Sequence, residues 1–401
     1  MLIRQNFMCK VLKSLFYKNR PFSYELANKL VGKTYAHKKV NKIAVMIFTP
    51  GQEKRLDDIL YYLDSRKIDI VYAPDPVWCT CDGIKALKKY AESRGYGVKN
   101  ILEILCRQET YSLTISFGMW FGQKLDNAYL PNLIADSHIK LLYSLGADKT
   151  LLAKDKVFMF DKILCYGSYQ RKKLEKVCDA EIFEVGNSRL DKYFSTPHNP
   201  DILARQLGLD EKKKTILWLP TAYHNSIEEF ITIFENLETE YNIVVSPHSL
   251  TLEPDINILK NSKLKHVLNA KEAGNLELYA LADFVCADYG GAMFTALCLD
   301  KNMVLLNIRQ HIKKVVEIYG EDTAELYFRK NYIRGYYNDE YEKLRADLSD
   351  ENVWTEQKKL RMTAKAEFFT DKYEGHSAYV TAKILREALE NDRLKGKKYA
   401  Q

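Results

Sequence analysis

An alternation repeated along most of the chain constrains its fold more than any other feature. Short apolar, β-rich runs are closed by turn residues and followed by stretches with helical periodicity. The first run, 43–48, ends at Thr49-Pro50-Gly51, and comparable runs follow at 68–73, 113–117, 132–135 and 162–166. Strands separated by helices cannot pair as hairpins, so they form a parallel sheet covered on both faces. A second series occupies 215–219, 241–245, 284–287 and 303–306, after a helical stretch at 203–207 and a charged connector. With 401 residues, two cores are expected rather than one. The reading is α/β with two Rossmann-like domains, 37–198 and 199–401, the second ending in closing helices, preceded by a basic amphipathic segment at 1–36.

In an open parallel sheet the ligand sits beyond the carboxyl ends of the strands, so the loops there hold the candidate residues. Pro220 and Thr221 follow one predicted strand, and Ser246-Pro247-His248 follows another. Asp288, Tyr289, Gly290, Gly291 and Ala292 link a third to an apolar helix, where paired glycines let a phosphate approach backbone amides. In the first half, Asp136, Ser137 and His138 come after the run at 132–135, and Leu145-Gly146-Ala147-Asp148 turns the chain back. His138 and His248, one from each domain, would form a divided site, one imidazole for an attacking hydroxyl and one for a displaced phosphate. Arg189, in Val185-Gly186-Asn187-Ser188-Arg189-Leu190-Asp191, could meet a phosphate or pair with Asp191.

A net charge of +7 over this length suits phosphorylated substrates or an anionic membrane surface and does not imply nucleic acid. The eight cysteines lack metal-ligand spacing; they read as reduced thiols, with no metal. Phe7, Met8, Val11, Leu12, Leu15 and Phe16 share a helical face flanked by Lys10, Lys13, Lys18 and Arg20. That face suits either the membrane surface or packing on its own domain. No secretory signal or spanning segment is read, so the expected location is the cytosol, including its membrane face.

Taken in order, these segments resemble the CDP-glycerol glycerophosphotransferases. His138, Leu145, Gly146 and Asp148 match four positions of the family pattern H-G-x-P-L-K-x-L-G-x-D. Gly186, Arg189 and Asp191 are similar to its G-x-P-R-x-D turn, Pro220-Thr221 to its A-P-T loop, and Pro247-His248 to its histidine. The stretch 278–300 follows A-D-x-x-x-x-D-Y-S-S-x-x-F, with Gly290 and Gly291 in place of two serines. Ile139 replaces the family's glycine and Tyr143 its lysine.

The resemblance implies a GT-B type fold, two domains facing each other across a cleft with the C-terminal helix returning to the first. It implies a CDP-linked alditol donor, glycerol phosphate foremost, and a hydroxyl acceptor in teichoic-acid-like or capsular polymer synthesis, with no cofactor. His138 is then the base and His248 the group on the donor phosphate. Pro220, Thr221, Asp288 to Ala292 and Arg189 bind the donor; Asp136, Ser137 and Asp148 face the acceptor. A GT-B sugar enzyme, either a glycosyltransferase or a UDP-sugar 2-epimerase, and a non-catalytic relative are the alternatives.

Overall fold

The structure, a computed structural model, describes residues 38–47, 53–72, 81–117 except 108, 134–146 except 136 and 143, 160–269 except 223, and 276–398, together with 51, 152 and 157. The amphipathic segment, Asp136, Tyr143 and Asp148 lie outside the described residues. The chain divides into two compact units. The first comprises 1–143, 150–191 and 371–401; the second comprises 144–149 and 192–370. The closing segment from Asp371 thus groups with the first unit, as the returning C-terminal helix of the resemblance implies, although the domain bounds read from sequence ran the second domain through 401.

The first unit holds seven strands: β1 (Lys38–Ile47), β2 (Ile68–Tyr72), β3 (Gly97–Asn100), β4 (Glu109–Ser116), β5 (His138–Leu141), β6 (Lys162–Cys165) and β7 (Glu181–Glu184). They form one parallel sheet in the order β3-β2-β1-β4-β5-β6-β7. Along β1, Ala44 and Met46 enter one core, while Ile43, Val45 and Ile47 enter the other. That is why the run is apolar throughout rather than alternating.

The helix Ser377–Lys398 lays Ala378, Ala382 and Leu385, spaced for one face, onto the second of these cores. Its first amides, from Ser377 and Ala378, donate to the carboxylate of Asp191 at 3.1 and 2.6 Å. Asp191 therefore fastens the turn after β7 to the start of the last helix.

One strand differs from the sequence reading. Of the run at 132–135 the structure describes Ile134 and Ala135, which supply an isolated bridge, Tyr111 to Ala135, and the strand is β5, which His138 opens opposite Thr114. The pattern His-Ile-Lys-Leu reads as half polar, yet Lys140 is wholly buried, against the usual placement of lysine.

The second unit holds β8 (Thr215–Leu219), β9 (Asn242–Val245), β10 (His266–Val267), β11 (Phe284–Ala287) and β12 (Asn302–Leu305), parallel in the order β10-β9-β8-β11-β12. Its core stacks Trp218 on Phe234 at 4.2 Å and sets Phe284 against Trp354 at 4.7 Å. Chain order reverses between β8 and β11, so the loops after these two strands border the crevice where ligands of such sheets bind. Among the described residues no helix is long and apolar enough to cross a membrane.

Candidate functional site

The loops at that reversal are held by one side chain. Asp288, directly after β11 and fully buried, accepts from the Thr221 amide at 3.0 and 3.1 Å, the Ser226 amide at 2.9 Å, the Ser226 hydroxyl at 3.0 Å and the Tyr289 amide at 2.7 Å. The Ser226 hydroxyl in turn accepts from Trp218 Nε1 at 3.0 Å. Burial pushes the Asp288 carboxyl above the usual carboxylate range, and its hydrogen bonds oppose that shift. Asp288 is therefore the knot that shapes the crevice, and its oxygens are turned inward to the loops.

Tyr289 is buried between two nitrogen-rich planes. The His311 ring lies 3.8 Å from its centroid, and the Arg329 guanidinium 4.5 Å from it. Arg329 also donates to the Asp288 carbonyl and, at 2.8 Å, to Asn307 Oδ1. Gly335 makes room for this pair, since a Cβ there would lie 2.3 Å from Asn307 Oδ1 and 2.6 Å from the guanidinium. His224 adopts a left-handed φ of 49°, its ring 6.4 Å from His311 and its Nε2 3.5 Å from Lys314 Nζ. Two histidines, a lysine and an arginine thus gather at the carboxyl end of the second sheet, as an anion-binding crevice requires.

Burial, then the neighbouring His224, Arg329 and Lys314, lower the His311 pKa from 6.5 to about 4. Between these values the unfolded chain holds a proton that the folded chain refuses. The stability His311 contributes is complete above pH 6.5 and is lost as pH falls towards 4, by at most about 1.4 kcal/mol per unit. Urea unfolding of wild type and His311→Phe across that range should show a shallower acid decline in the variant.

Gly290 has φ 83° and ψ −157°, a conformation that only glycine adopts without strain. Its amide donates to the buried Glu325 carboxylate at 2.7 Å, so it is not turned to a ligand as the sequence suggested. The amides left for an anion are those of Gly291 and Ala292, which open the helix Gly291–Cys298. The segment 144–149 belongs to this unit, and a Cβ on Gly146 would stand 2.7 Å from Gly290 Cα and 2.9 Å from Glu325 Oε1. The two glycine backbones touch where the family pattern has its L-G step, so Gly146 matches a steric need.

His248 is exposed in the loop after β9, and its Nδ1 accepts from the Leu250 amide at 3.1 Å. In the neutral ring this leaves the proton on Nε2. His138 does not follow a strand as read from sequence. It is 6% exposed at the start of β5, with Nδ1 2.8 Å from the Thr114 hydroxyl and its amide donating to Asp161 at 2.6 Å. Ser137 stands beside it, its carbonyl accepting from the Thr114 amide.

Arg189 belongs to the first unit, whereas the donor residues grouped with it in the sequence reading belong to the second. It does not pair with Asp191, whose carboxylate is taken by the last helix. Sequence reasoning missed Arg329, His311, Lys314 and Glu325, which lie on helices with no motif of their own. The signal available was only that all four come after the last strand of the second series.

Residues 159–368, more than half of the chain, match the family described as CDP-glycerol:poly(glycerophosphate) glycerophosphotransferase. Among curated proteins none matches in sequence. Solved structures of the wall teichoic acid polymerase TagF align with TM-scores of 0.57 and 0.59 at 14% and 12% identity, over 97% of this chain and 98% of that one. A glycosyltransferase from Rickettsia africae ESF-5 aligns at 0.52 and 11% identity, over 89% and 100% of the two chains. A UDP-N-acetylglucosamine 2-epimerase aligns at 0.50 and 14%, over 87% and 96%. At such identities these likenesses establish the fold, two parallel α/β units of GT-B type.

Proposed function

Because the chain belongs to the CDP-glycerol:poly(glycerophosphate) glycerophosphotransferase family, we propose that it moves glycerol phosphate from CDP-glycerol to a hydroxyl of a growing teichoic-acid-like or capsular polymer. The observation that carries this reading is the Asp288 knot, which shapes a crevice at the strand reversal of the second sheet. Beside it stand Arg329, His311, Lys314 and His224, cations and imidazoles suited to a diphosphate.

In this reading the donor diphosphate meets the Gly291 and Ala292 amides and the Thr221 loop, with the helix dipole favouring its charge. An acceptor hydroxyl attacks the phosphorus that bears glycerol and gives its proton to His138 Nε2. The new P–O bond forms as the bond to the bridging oxygen breaks, and CMP leaves with that electron pair. His248, its Nδ1 occupied by the Leu250 amide, donates from Nε2 to the oxygen that gains charge. This role requires the His138 tautomer whose Nδ1–H donates to the Thr114 hydroxyl, 2.8 Å away, so that Nε2 is the nitrogen bearing the lone pair.

The test is CMP release from CDP-glycerol with a glycerophosphate-primed acceptor, compared with release of UDP or UMP from UDP-N-acetylglucosamine. CMP release with growth of the acceptor by glycerol phosphate units is expected. Turnover of the UDP-sugar alone would overturn the proposal in favour of a sugar enzyme.

A further inference from the structure

Four polar side chains make a block on one face at the centre of the first unit's sheet. Thr114 and Ser116 lie on β4, His138 and Lys140 on β5, and the strands pair so that Thr114 stands opposite His138 and Ser116 opposite Lys140. Residues two apart along a strand share a face. The 2.8 Å contact of the Thr114 hydroxyl with His138 Nδ1 puts both pairs on the same one. Beside them in register are Ala44 on β1 and Ile163 on β6, members of an apolar core. All four polar residues are buried, Lys140 wholly, and among the described residues the Ser116 hydroxyl has no hydrogen-bond partner. Apolar side chains would fill such positions at less cost, so the block answers a need other than stability.

Lys140 has no part in the transfer proposed above, yet its side chain leans back to the end of β5 where His138 stands. Its Nζ lies 5.4 Å from the centroid of the Phe160 ring. Phe160 adjoins Asp161, whose amide donates to the His138 carbonyl at 3.0 Å and whose Oδ2 accepts from the His138 amide at 2.6 Å. Amine and imidazole thus share one buried neighbourhood, where a charge on one acts on the other with little screening. A lysine cation there disfavours imidazolium. Among the described residues, the charged group that a neighbouring element brings against His138 is Asp161, which acts in the opposite sense but commits Oδ2 to the backbone. Lys162 is in register with Ile139, on the other face, and pairs with Glu181.

We infer that Lys140 is a positioning residue for the base: its ammonium keeps the His138 imidazole unprotonated, so that Nε2 is open to the acceptor's proton. The inference rests on the reading of His138 as the base, but the hold of Lys140 on the ring is measurable by itself.

Two measurements keep these apart: the pH profile of CMP release from CDP-glycerol, and titration of the His138 ring by NMR, its signal assigned by its absence from His138→Asn. Lys140→Met retains the length of the stem and removes the charge. The ring titration and the acidic limb of kcat/KM should both move to higher pH by about one unit, a tenfold loss of kcat/KM on that limb. Ser116→Ala, which removes a neighbouring polar group and no charge, should leave the ring titration in place. In the wild type, where no substitution disturbs folding, the ring should titrate below about 6.5. A wild-type midpoint above that value, an unmoved titration in Lys140→Met, or an equal shift in Ser116→Ala overturns the inference. A shifted ring with an unshifted acidic limb overturns it as well, and the base assignment with it. If the ring shifts as expected in a protein that releases no CMP, the hold of Lys140 on His138 stands and the transfer reading fails.

Discussion

His138→Asn and His248→Ala are each expected to lower CMP release from CDP-glycerol by about a hundredfold or more. The causes differ, and so should the accompanying measurements. Asparagine at 138 keeps a polar atom near the position of Nδ1, so the contact with the Thr114 hydroxyl and the packing of β5 survive. It lacks Nε2, the atom assigned the acceptor's proton. CDP affinity and the unfolding midpoint should therefore stay close to wild type while turnover collapses. His248 is exposed, so its removal costs little stability. Its loss should fall mainly on kcat, because the hydrogen bond to the departing CMP oxygen is strongest once charge has developed there.

Turnover retained in His138→Asn would remove the base assignment, and the burial of this ring makes the experiment informative. At the start of a four-residue strand, His138 lies about 10 Å of chain from the strand's carboxyl end. A hydroxyl must reach it through the neighbouring loops for the assignment to hold.

Strands built from short, unbroken β-rich runs were legible to the residue: 215–219 and 284–287 coincide with β8 and β11. Their sequences leave no alternative, since every position is buried. β3 and β10 were not legible. Gly97–Asn100 has no fully buried residue, and His266–Val267 is two residues long; each forms only because an edge of the sheet offers it partners. β5 was misplaced because a buried lysine imitates a surface position.

The loops of the site were visible as turn residues after strands, but what they do to one another was not. Asp288 reads in sequence as a ligand-facing acid, whereas its oxygens face the protein; Gly290 reads as an open amide, whereas Glu325 occupies it. Such roles depend on groups 35 to 67 positions apart and on whether another donor or acceptor has arrived first. The cations were hidden for the same reason. Arg329 and His311 gain meaning only by flanking one tyrosine ring.

Asp288→Asn should be the most destabilising single change at the site, by about 3–5 kcal/mol. Asparagine has nearly the same shape, so no cavity forms and the effect isolates the hydrogen bonds. The carboxylate accepts from four donors on three residues, Thr221, Ser226 and Tyr289. An amide presents one acceptor oxygen and turns an NH₂ group towards the remaining donors, leaving buried amides unmatched and opposed. For a unit of this size such a loss lowers the unfolding midpoint by about 6–20 °C. The loop after β8 should also loosen from β11, so CDP affinity should fall with stability, and hydrogen exchange at the Thr221 and Ser226 amides should quicken. If exchange there is unchanged and CDP still binds as in wild type, Asp288 does not hold the crevice together, and the diphosphate must be bound by groups that need no such knot.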